Sequence, residues 1–294
     1  MIIVQLKGGL GNQLFQYAAG RRLSEINRTE LLLDLTYYRL AKRLPHVFFN
    51  LHCFNINAET TDMPELKQFY NNSFLGRIGR KIKTITRIGK IKRICEKKSF
   101  IFDPSFFKFP DNAFLCGYWQ SEKYFKDIEE IIRKELTLKD ALTRRTIAFE
   151  DKIKNMKNAV SIHIRRGDYV TNKEANNRYG LCPLDYYYNC ISILKKELGS
   201  LNIVVFSDDT DWVKENFVSD NPLYFVDNNK IEYSHEDMYL MSICEHNIIA
   251  NSSFSWWGAW LNNNKQKKVF APKQWILGKK FGKLDIIPDN WIKV

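Results

Sequence analysis

Two adjacent arginines follow a short apolar run near the middle of this 294-residue chain. The run Val160–Ile164 is predicted to form a β-strand, and Arg165, Arg166, Gly167 and Asp168 come directly after it. Guanidinium groups stay charged at neutral pH and match phosphate oxygens in a two-point geometry. Paired arginines at the carboxyl end of a strand are therefore suited to neutralise a diphosphate. The alternative is a solvated strand end with surface arginines.

His163 comes just before the arginines. If the strand continues past Ile164, its period-two alternation places His163 and Arg165 on one face and the isoleucines on the other. A histidine there fits a base or a residue that stacks on a nucleobase. A lone strand histidine is also commonly structural.

Two further segments present backbone amides in front of predicted helices. The sequence GGLGNQ, Gly8–Gln13, opens a helix, where free amide hydrogens favour an anionic ligand group, although it does not match the GxGxxG fingerprint. Ser252–Ser255 follows a later apolar strand and adds three hydroxyl groups. Both segments also fit structural roles, as a tight turn and as a helix cap, and we assign Trp256 and Trp257 to the core.

Two acidic features follow other predicted strands. Ser207–Asp211 contains three aspartates, a composition that fits magnesium or manganese. Thr210 or Asp211 fits a helix cap equally well, and the diarginine makes a cation unnecessary, so we predict no metal site. Asp237, at the start of a predicted helix, is either a helix-terminal acid or an acceptor for two hydrogen bonds from a guanine edge.

The strands and helices that must position these residues form two α/β units. In the first, residues 2–6 and Leu31–Asp34 are predicted strands around a helix from Asn12 to about Ile26. Two helices are predicted between Glu122 and Lys157. The second unit is predicted to contain the strands Ala159–Ile164, Asn202–Phe206, Leu223–Val226, Asn247–Ala250 and Lys268–Phe270, with helices around Asp185–Glu197, Asp211–Phe217 and Asp237–Glu245. We therefore predict two Rossmann-like, doubly wound domains, 1–155 and 156–294, that face a ligand cleft.

Positive charge is concentrated in one segment of the chain. The formal net charge is +12, and residues 77–98 carry ten basic side chains against one acidic side chain. Six isoleucines recur there at spacings of three and four, which predicts a helix with an apolar stripe and a cationic reverse face. Such a helix either lies on anionic lipid or packs on the core with its charges solvated. The isoleucines are Ile78, Ile82, Ile85, Ile88, Ile91 and Ile94.

Cysteine spacing and hydropathy indicate the compartment. The six cysteines form no CxxC pair, so we expect reduced thiols rather than a zinc site or a disulfide framework. We find no signal peptide and no apolar run of about 18 residues. We expect a soluble cytoplasmic protein and leave open a peripheral membrane contact through residues 77–98.

Three motifs together resemble a known family. GGLGNQLFQYAAGRRL, HIRRGDY and NSSFSWWGAWL occur in this order between residues 8 and 261, as in the bacterial α-1,2-fucosyltransferases of glycosyltransferase family 11. The resemblance implies a GT-B fold, GDP-β-L-fucose as donor, inversion at the anomeric carbon, neither metal nor other cofactor, and transfer to the 2-hydroxyl of a terminal galactose in a glycan. It also implies that the first domain is the acceptor side and that the second binds GDP-fucose.

The resemblance also implies which residues contact the donor. Arg165 and Arg166 would bind the diphosphate, and His163 would lie against the nucleoside. Asp237 would bind guanine. The two loops would contribute Ser252, Ser253, Phe254 and Ser255 around the phosphates, and Gly11, Asn12 and Gln13 near the fucose.

Asp168 is the candidate general base, because a sugar hydroxyl is a weak acid that needs a carboxylate within hydrogen-bond reach. Asp168 also fits a brace that orients the arginines by a salt bridge. The sequence leaves both roles open.

Two other classes of protein compete with an enzyme. A nucleic-acid-binding protein explains the basic run but none of the three loops, and the run lacks the interleaved aromatic residues of single-strand binders. A non-catalytic carbohydrate-binding module is the third class. Release of GDP from GDP-fucose in the presence of lactose separates it from a transferase.

Overall fold

The structure, a computed structural model, describes residues 1–40, 48–61, 66–70, 91–227, 231–277 and 284–294, with only the backbone of Leu40, Lys67, Gln68 and Asp168. The chain divides into two compact units, Met1–Lys139 with Lys283–Ile286 and Asp140–Gly282 with Ile287–Val294. Each unit is built on a parallel sheet with helices. The predicted α/β class of GT-B type is therefore confirmed.

The first unit contains a five-stranded parallel sheet in the order β3-β2-β1-β5-β4. The central strand β1 pairs with β2 on one side and β5 on the other, and its residues Ile2, Ile3 and Val4 are fully buried. A strand that is covered on both faces of its sheet needs such apolar residues. The strands are β1 Ile2–Gln5, β2 Leu31–Asp34, β3 Glu59–Thr61, β4 Lys92–Cys95 and β5 Ala113–Cys116. The helices are α1 Leu10–Asn27, α2 Thr36–Leu40, α3 Lys67–Tyr70 and α4 Glu129–Glu135.

The second unit contains a six-stranded parallel sheet in the order β11-β10-β9-β6-β7-β8. If β6 is numbered 1 and the sheet is read from the β8 edge, the strand order is 3-2-1-4-5-6, which is the Rossmann arrangement. The strands are β6 Ala159–Ile164, β7 Asn202–Ser207, β8 Leu223–Val226, β9 His246–Ile248, β10 Val269–Ala271 and β11 Ile292–Lys293. The helices are α5 Arg144–Lys154, α6 Gly167–Thr171, α7 Lys173–Tyr179, α8 Leu184–Leu198, α9 Thr210–Asn216, α10 Ser234–Ser242 and α11 Ser253–Leu261.

The core of the second unit lies on both sides of β6. All six residues of this strand are buried, which explains why four of them are apolar; the other two are Ser161 and His163. Helix α8 covers one face with an apolar stripe that includes Tyr187, Cys190 and Leu194. The predicted strand Ala159–Ile164 is confirmed residue for residue.

The boundary between the units differs from the predicted 155/156. Helix α5 belongs to the second unit because Thr143 and Thr146, at its start, donate hydrogen bonds to Glu236 of α10. A short segment near the carboxyl terminus returns to the first unit, where Ser121 Oγ donates to the Asp285 carbonyl at 2.7 Å. Sequence patterns do not show such a return, because it depends on contacts between distant residues.

The predicted basic helix is wrong at its carboxyl end. Lys92–Cys95 forms strand β4, which pairs in parallel with β5 along its whole length. The spacing of the isoleucines favours a helix, but the hydrogen bonds with β5 stabilise a strand more strongly there. Residues 77–90 of the segment lie outside the described residues.

Two features of the whole chain bear on the predicted compartment. All six cysteines are free thiols. Among the helices that the structure describes, none combines the length and the apolar character needed to cross a bilayer.

Candidate functional site

The candidate site lies at the carboxyl end of β6, where the strand order of the second sheet reverses. The chain runs from β6 to β7 and β8 on one side, and β9, β10 and β11 follow on the other. Connections leave such a switch point in opposite directions and open a crevice, where doubly wound folds bind their ligands. Arg165 and Arg166 follow β6, and Asn251 and Ser252 follow its neighbour β9. Two of the predicted loops therefore flank the switch point.

Arg165 is held by a carboxylate from the loop after the adjacent strand. Its Nη1 lies 2.8 Å from Oδ2 of Asp208, and its guanidinium lies 5.6 Å from the ring centroid of Tyr169. About 29% of the Arg165 side chain is exposed, so a ligand can reach it. An oriented but accessible guanidinium loses little side-chain entropy when it binds an anion.

Arg166 is more firmly fixed than Arg165. Its Nε donates to Oδ2 of Asp209 at 2.9 Å, and its Cζ lies 3.4 Å from the ring centroid of Trp212. Only 15% of the side chain is exposed. This geometry favours Arg165 as the main ligand contact and Arg166 as the arginine that shapes the loop.

His163 is a buried, neutral side chain. Its ring centroid lies 5.6 Å from that of Phe254, so strand β6 and the helix that follows β9 meet at this point. Burial lowers the pKa of His163 to about 4; the charge of Asp208 opposes this shift and Arg165 adds to it. Its Nδ1 is buried without a hydrogen-bond partner among the described residues. Strand β6 ends at Ile164, so alternation does not set the direction of Arg165.

Asp237 is a partly buried side chain in the first turn of α10, and its Oδ1 is buried. Its Oδ1 has no hydrogen-bond partner in the described part of the chain. Burial raises the pKa of Asp237 to about 8; Glu236 adds to the shift and Arg145 opposes it. Glu236 itself accepts from Thr143 N and Oγ at 2.9 and 2.7 Å, and from the Thr146 hydroxyl. A ligand with adjacent N–H donors would satisfy Asp237 and favour its charged form.

The serine loop combines a helix cap with core residues. Ser252 Oγ accepts from Phe254 N at 3.3 Å and caps α11. Ser255 is 1% exposed and its hydroxyl donates to the Ser252 carbonyl, and its contact with a phosphate stays a prediction. Ser253 and Phe254 remain partly exposed at the start of the helix. The core assignment of Trp256 and Trp257 is confirmed, since both are fully buried.

Asn251 is a residue that sequence reasoning missed. Its Nδ2 donates to the carbonyls of Tyr179, Gly180 and Trp275 at 2.9, 3.3 and 3.4 Å. Its own carbonyl accepts from the Tyr169 hydroxyl at 3.1 Å. It thus joins the end of β9 to the helices after the arginines. A single asparagine after an apolar strand is the signal that could have indicated it.

The amino-terminal loop belongs to the first unit, and its residues have separate roles. Helix α1 begins at Leu10, so Gly11, Asn12 and Gln13 lie in its first turn. Gln13 is fully buried: its Nε2 donates to the carbonyls of Gly8 and Phe48 at 3.1 and 2.6 Å, and its Oε1 accepts from Asn50 N. The amide of Gln13 is thus occupied by the backbone, and its contact with the donor stays a prediction.

Asn12 is anchored from another part of the first unit. Its Oδ1 accepts from Gln120 Nε2 at 2.9 Å. Gly8 has φ +79°, and a Cβ there would lie 3.3 Å from Cβ and Cγ of Asn12 and nearer still to its Nδ2. A glycine is required at this position for both reasons.

Two predictions concern residues or ions that the described structure does not test. The side chain of Asp168 lies outside the described residues, and its backbone lies in α6. In the described ranges, no group of three or more His, Cys, Asp and Glu side chains is arranged to hold a metal ion.

Sequence comparison relates the chain to known transferases over its full length. Residues 1–294 match the profile of the family described as Glycosyl transferase family 11. The O-antigen biosynthesis glycosyltransferase WbnK of Escherichia coli is 34% identical, covering 98% of this chain and 99% of its own. An α-1,2-colitosyltransferase of Escherichia coli is 35% identical (100% and 99%). A galactoside 2-α-L-fucosyltransferase of Caenorhabditis elegans is 25% identical (100% and 79%).

Comparison with solved structures supports the fold. The NodZ α-1,6-fucosyltransferase co-crystallised with GDP superimposes with a TM-score of 0.51 at 13% identity, covering 87% of this chain and 90% of that one. At this identity the likeness concerns the fold and not the substrate.

Proposed function

The chain belongs to glycosyltransferase family 11, and on this premise we propose that it transfers L-fucose from GDP-β-L-fucose to the 2-hydroxyl of a terminal galactose, with inversion and without a metal ion. The observation that carries the proposal is the pair of oriented arginines at the switch point of the second sheet. The proposal thus makes GDP-fucose and a galactose-terminated glycan its two substrates.

Asp237 supports guanine as the base of the donor. A guanine edge presents an N1–H and an amino group side by side, which matches a carboxylate that accepts two hydrogen bonds. The buried Oδ1 of Asp237 lacks such donors among the described residues. Adenine and uracil do not offer this pair of adjacent donors, so the site favours a guanine nucleotide.

The arginines supply the chemistry expected of a metal-free transferase. As the bond from fucose to GDP breaks, positive charge develops on the sugar ring and negative charge grows on the leaving phosphate. Arg165, already oriented by Asp208, stabilises that charge more strongly in the transition state than in the bound donor. Arg166 maintains the loop through Asp209 and Trp212.

The position of Asp208 bears on the role of Asp168. The sequence left Asp168 as either a base or a brace, and Asp208 already braces Arg165. This favours Asp168 as the base that takes the proton of the galactose 2-hydroxyl.

Asp168→Asn is expected to lower kcat by about 10²-fold or more, because proton transfer in the transition state is lost. GDP affinity should stay within about threefold, since the proposed base contacts the acceptor. Steady-state kinetics and calorimetry of GDP binding measure the two effects. A kcat near that of wild type would remove Asp168 from the base role.

A colitosyltransferase is the second candidate, because the 35% identical relative carries that name. Colitose is fucose without its 3-hydroxyl, so the same guanine and diphosphate contacts serve both donors. The two candidate functions differ only in whether the enzyme binds a donor sugar with or without that 3-hydroxyl.

A donor and acceptor screen tests the proposed function. We expect transfer from GDP-fucose to glycans that end in β1,3- or β1,4-linked galactose, and the same rate in the presence of EDTA. GDP-colitose is assayed in parallel. A rate at least tenfold higher with GDP-colitose would replace the fucose proposal, and activity lost in EDTA and restored by manganese would contradict the metal-free mechanism.

A further inference from the structure

The acidic segment Ser207–Asp211 follows β7 and lies beside the two arginines. We propose that Asp208 is a positioning residue that holds Arg165 and the backbone of Arg166 in the geometry required for the departing diphosphate. The inference rests on the proposed function in one respect, namely that Arg165 acts on a phosphate. The contacts of Asp208 themselves do not depend on that function.

The sheet register brings Asp208 to the arginines. Ile164 of β6 pairs with Ser207 of β7, so the next residues on the two strands, Arg165 and Asp208, are neighbours. Ser207 Oγ donates to the Ile164 carbonyl at 2.8 Å and accepts from Asp209 N at 3.0 Å. The Ser207 side chain therefore links the backbones of the two segments.

The carboxylate of Asp208 binds two different groups. Oδ2 lies 2.8 Å from Nη1 of Arg165, and Oδ1 accepts from the backbone N of Arg166 at 2.8 Å. One oxygen thus orients a side chain and the other fixes the turn from which that side chain projects. Charge-assisted hydrogen bonds of this kind are short and directional.

Gly167 shows how closely this carboxylate packs on the turn. A Cβ built on Gly167 would lie 2.9 Å from Cγ of Asp208 and closer still to Oδ2. Any other residue at position 167 would displace the carboxylate or the loop. The glycine in this sequence is therefore explained by Asp208, which follows it by 41 positions.

The three aspartates of the segment have different surroundings. Asp208 forms an ion pair with Arg165. Asp209 forms an ion pair with Arg166, which also stacks on Trp212. Asp211 is exposed in the first turn of α9. It has the same charge and lies three residues from Asp208, so it is a matched control.

A carboxylate beside a diphosphate site weakens ground-state binding of the anion by repulsion. Its benefit must therefore lie in orientation, because a misplacement of about 1 Å can cost roughly 10²-fold in rate. A positioning role thus predicts that removal of the charge lowers kcat but does not weaken GDP binding.

The first experiment compares Asp208→Asn with Asp211→Asn. For Asp208→Asn we expect kcat to fall about 30- to 100-fold, with GDP affinity unchanged or tighter. Asp211→Asn should keep both values within about twofold, and Asp208→Glu should not restore kcat, because its longer side chain does not fit against Gly167. Wild-type kcat in Asp208→Asn, or GDP affinity that falls in parallel with kcat, would overturn the inference.

The second experiment does not require transferase activity. Gly167→Ala should lower Tm by roughly 5 °C in the wild-type background, because the new methyl group strikes the carboxylate, and by much less in Asp208→Ala. Equal losses in both backgrounds would show that Asp208 does not pack on the turn. If wild type transfers neither sugar, the proposed function fails, while this cycle and the GDP titration still decide the position and effect of Asp208.

Discussion

Arg165→Ala is expected to lower kcat for sugar transfer by about 10²-fold or more, because the leaving diphosphate loses an oriented positive charge as its own negative charge develops. The protein should remain folded, since 29% of the Arg165 side chain is exposed and its ion pair with Asp208 lies just beyond the carboxyl ends of β6 and β7. Steady-state kinetics with GDP-fucose and circular dichroism measure the two properties. Arg165→Lys should recover only part of kcat, since an ammonium group lacks the two-point geometry of guanidinium.

Arg166→Ala is expected to differ from Arg165→Ala in its effect on Tm. We expect it to lower transfer and also Tm, because it removes both the ion pair with Asp209 and the stacking on Trp212. Arg165→Ala should leave Tm within about 2 °C. Near-normal transfer by both variants would refute the assignment of the diarginine to the diphosphate.

Asp237→Asn is expected to weaken GDP binding by roughly 10- to 100-fold while it stabilises the unliganded protein. An asparagine presents only one acceptor oxygen to the guanine edge, so the paired, charge-assisted contact is lost. Inosine diphosphate, which lacks the 2-amino group, is the matched ligand: wild type should prefer GDP, and the variant should discriminate less. Equal GDP affinity in wild type and Asp237→Asn would remove Asp237 from the base site.

The stability of the unliganded protein is expected to depend on pH, because the pKa of Asp237 is raised. Burial and Glu236 raise this pKa to about 8, so the unliganded folded protein holds a proton that the unfolded chain has lost. The free energy of unfolding contributed by this group therefore falls as pH rises from about 4 to 8. The gain in Tm of Asp237→Asn should grow from pH 6 to pH 8 and then level off.

In the proposed site guanine binds the carboxylate form of Asp237, so GDP binding is expected to release this proton below pH 8. Wild-type GDP affinity should rise by up to about tenfold per pH unit toward pH 8 and become flat above it. Asp237→Asn should lack this slope. Calorimetry in buffers of different ionisation enthalpy measures the proton release directly, and a wild-type affinity without pH dependence between 6 and 8 would contradict the linkage.

Local sequence patterns predicted the secondary structure correctly where the residue types of one short segment decide it. The run Ala159–Ile164 matches β6, because a central parallel strand is covered on both faces and is rich in apolar residues, here all but Ser161 and His163. The pattern failed at Lys92–Cys95, where the spacing of isoleucines favoured a helix and pairing with β5 imposed a strand. Pairing between distant segments is not encoded in local periodicity.

By itself, the sequence determined the α/β class, the order of the three motifs and the arginine pair that points to a diphosphate, since these depend on residue types next to one another. Only the tertiary structure decided which polar side chains bind each other or the backbone and which keep a buried atom without a partner among the described residues. Asp208 reaches the arginines across 43 positions, Gln13 is occupied by the backbone, and Asp237 is left with a buried acceptor. The physical reason is that burial, hydrogen-bond saturation and ion pairing depend on chain segments that come together only when the sheet forms.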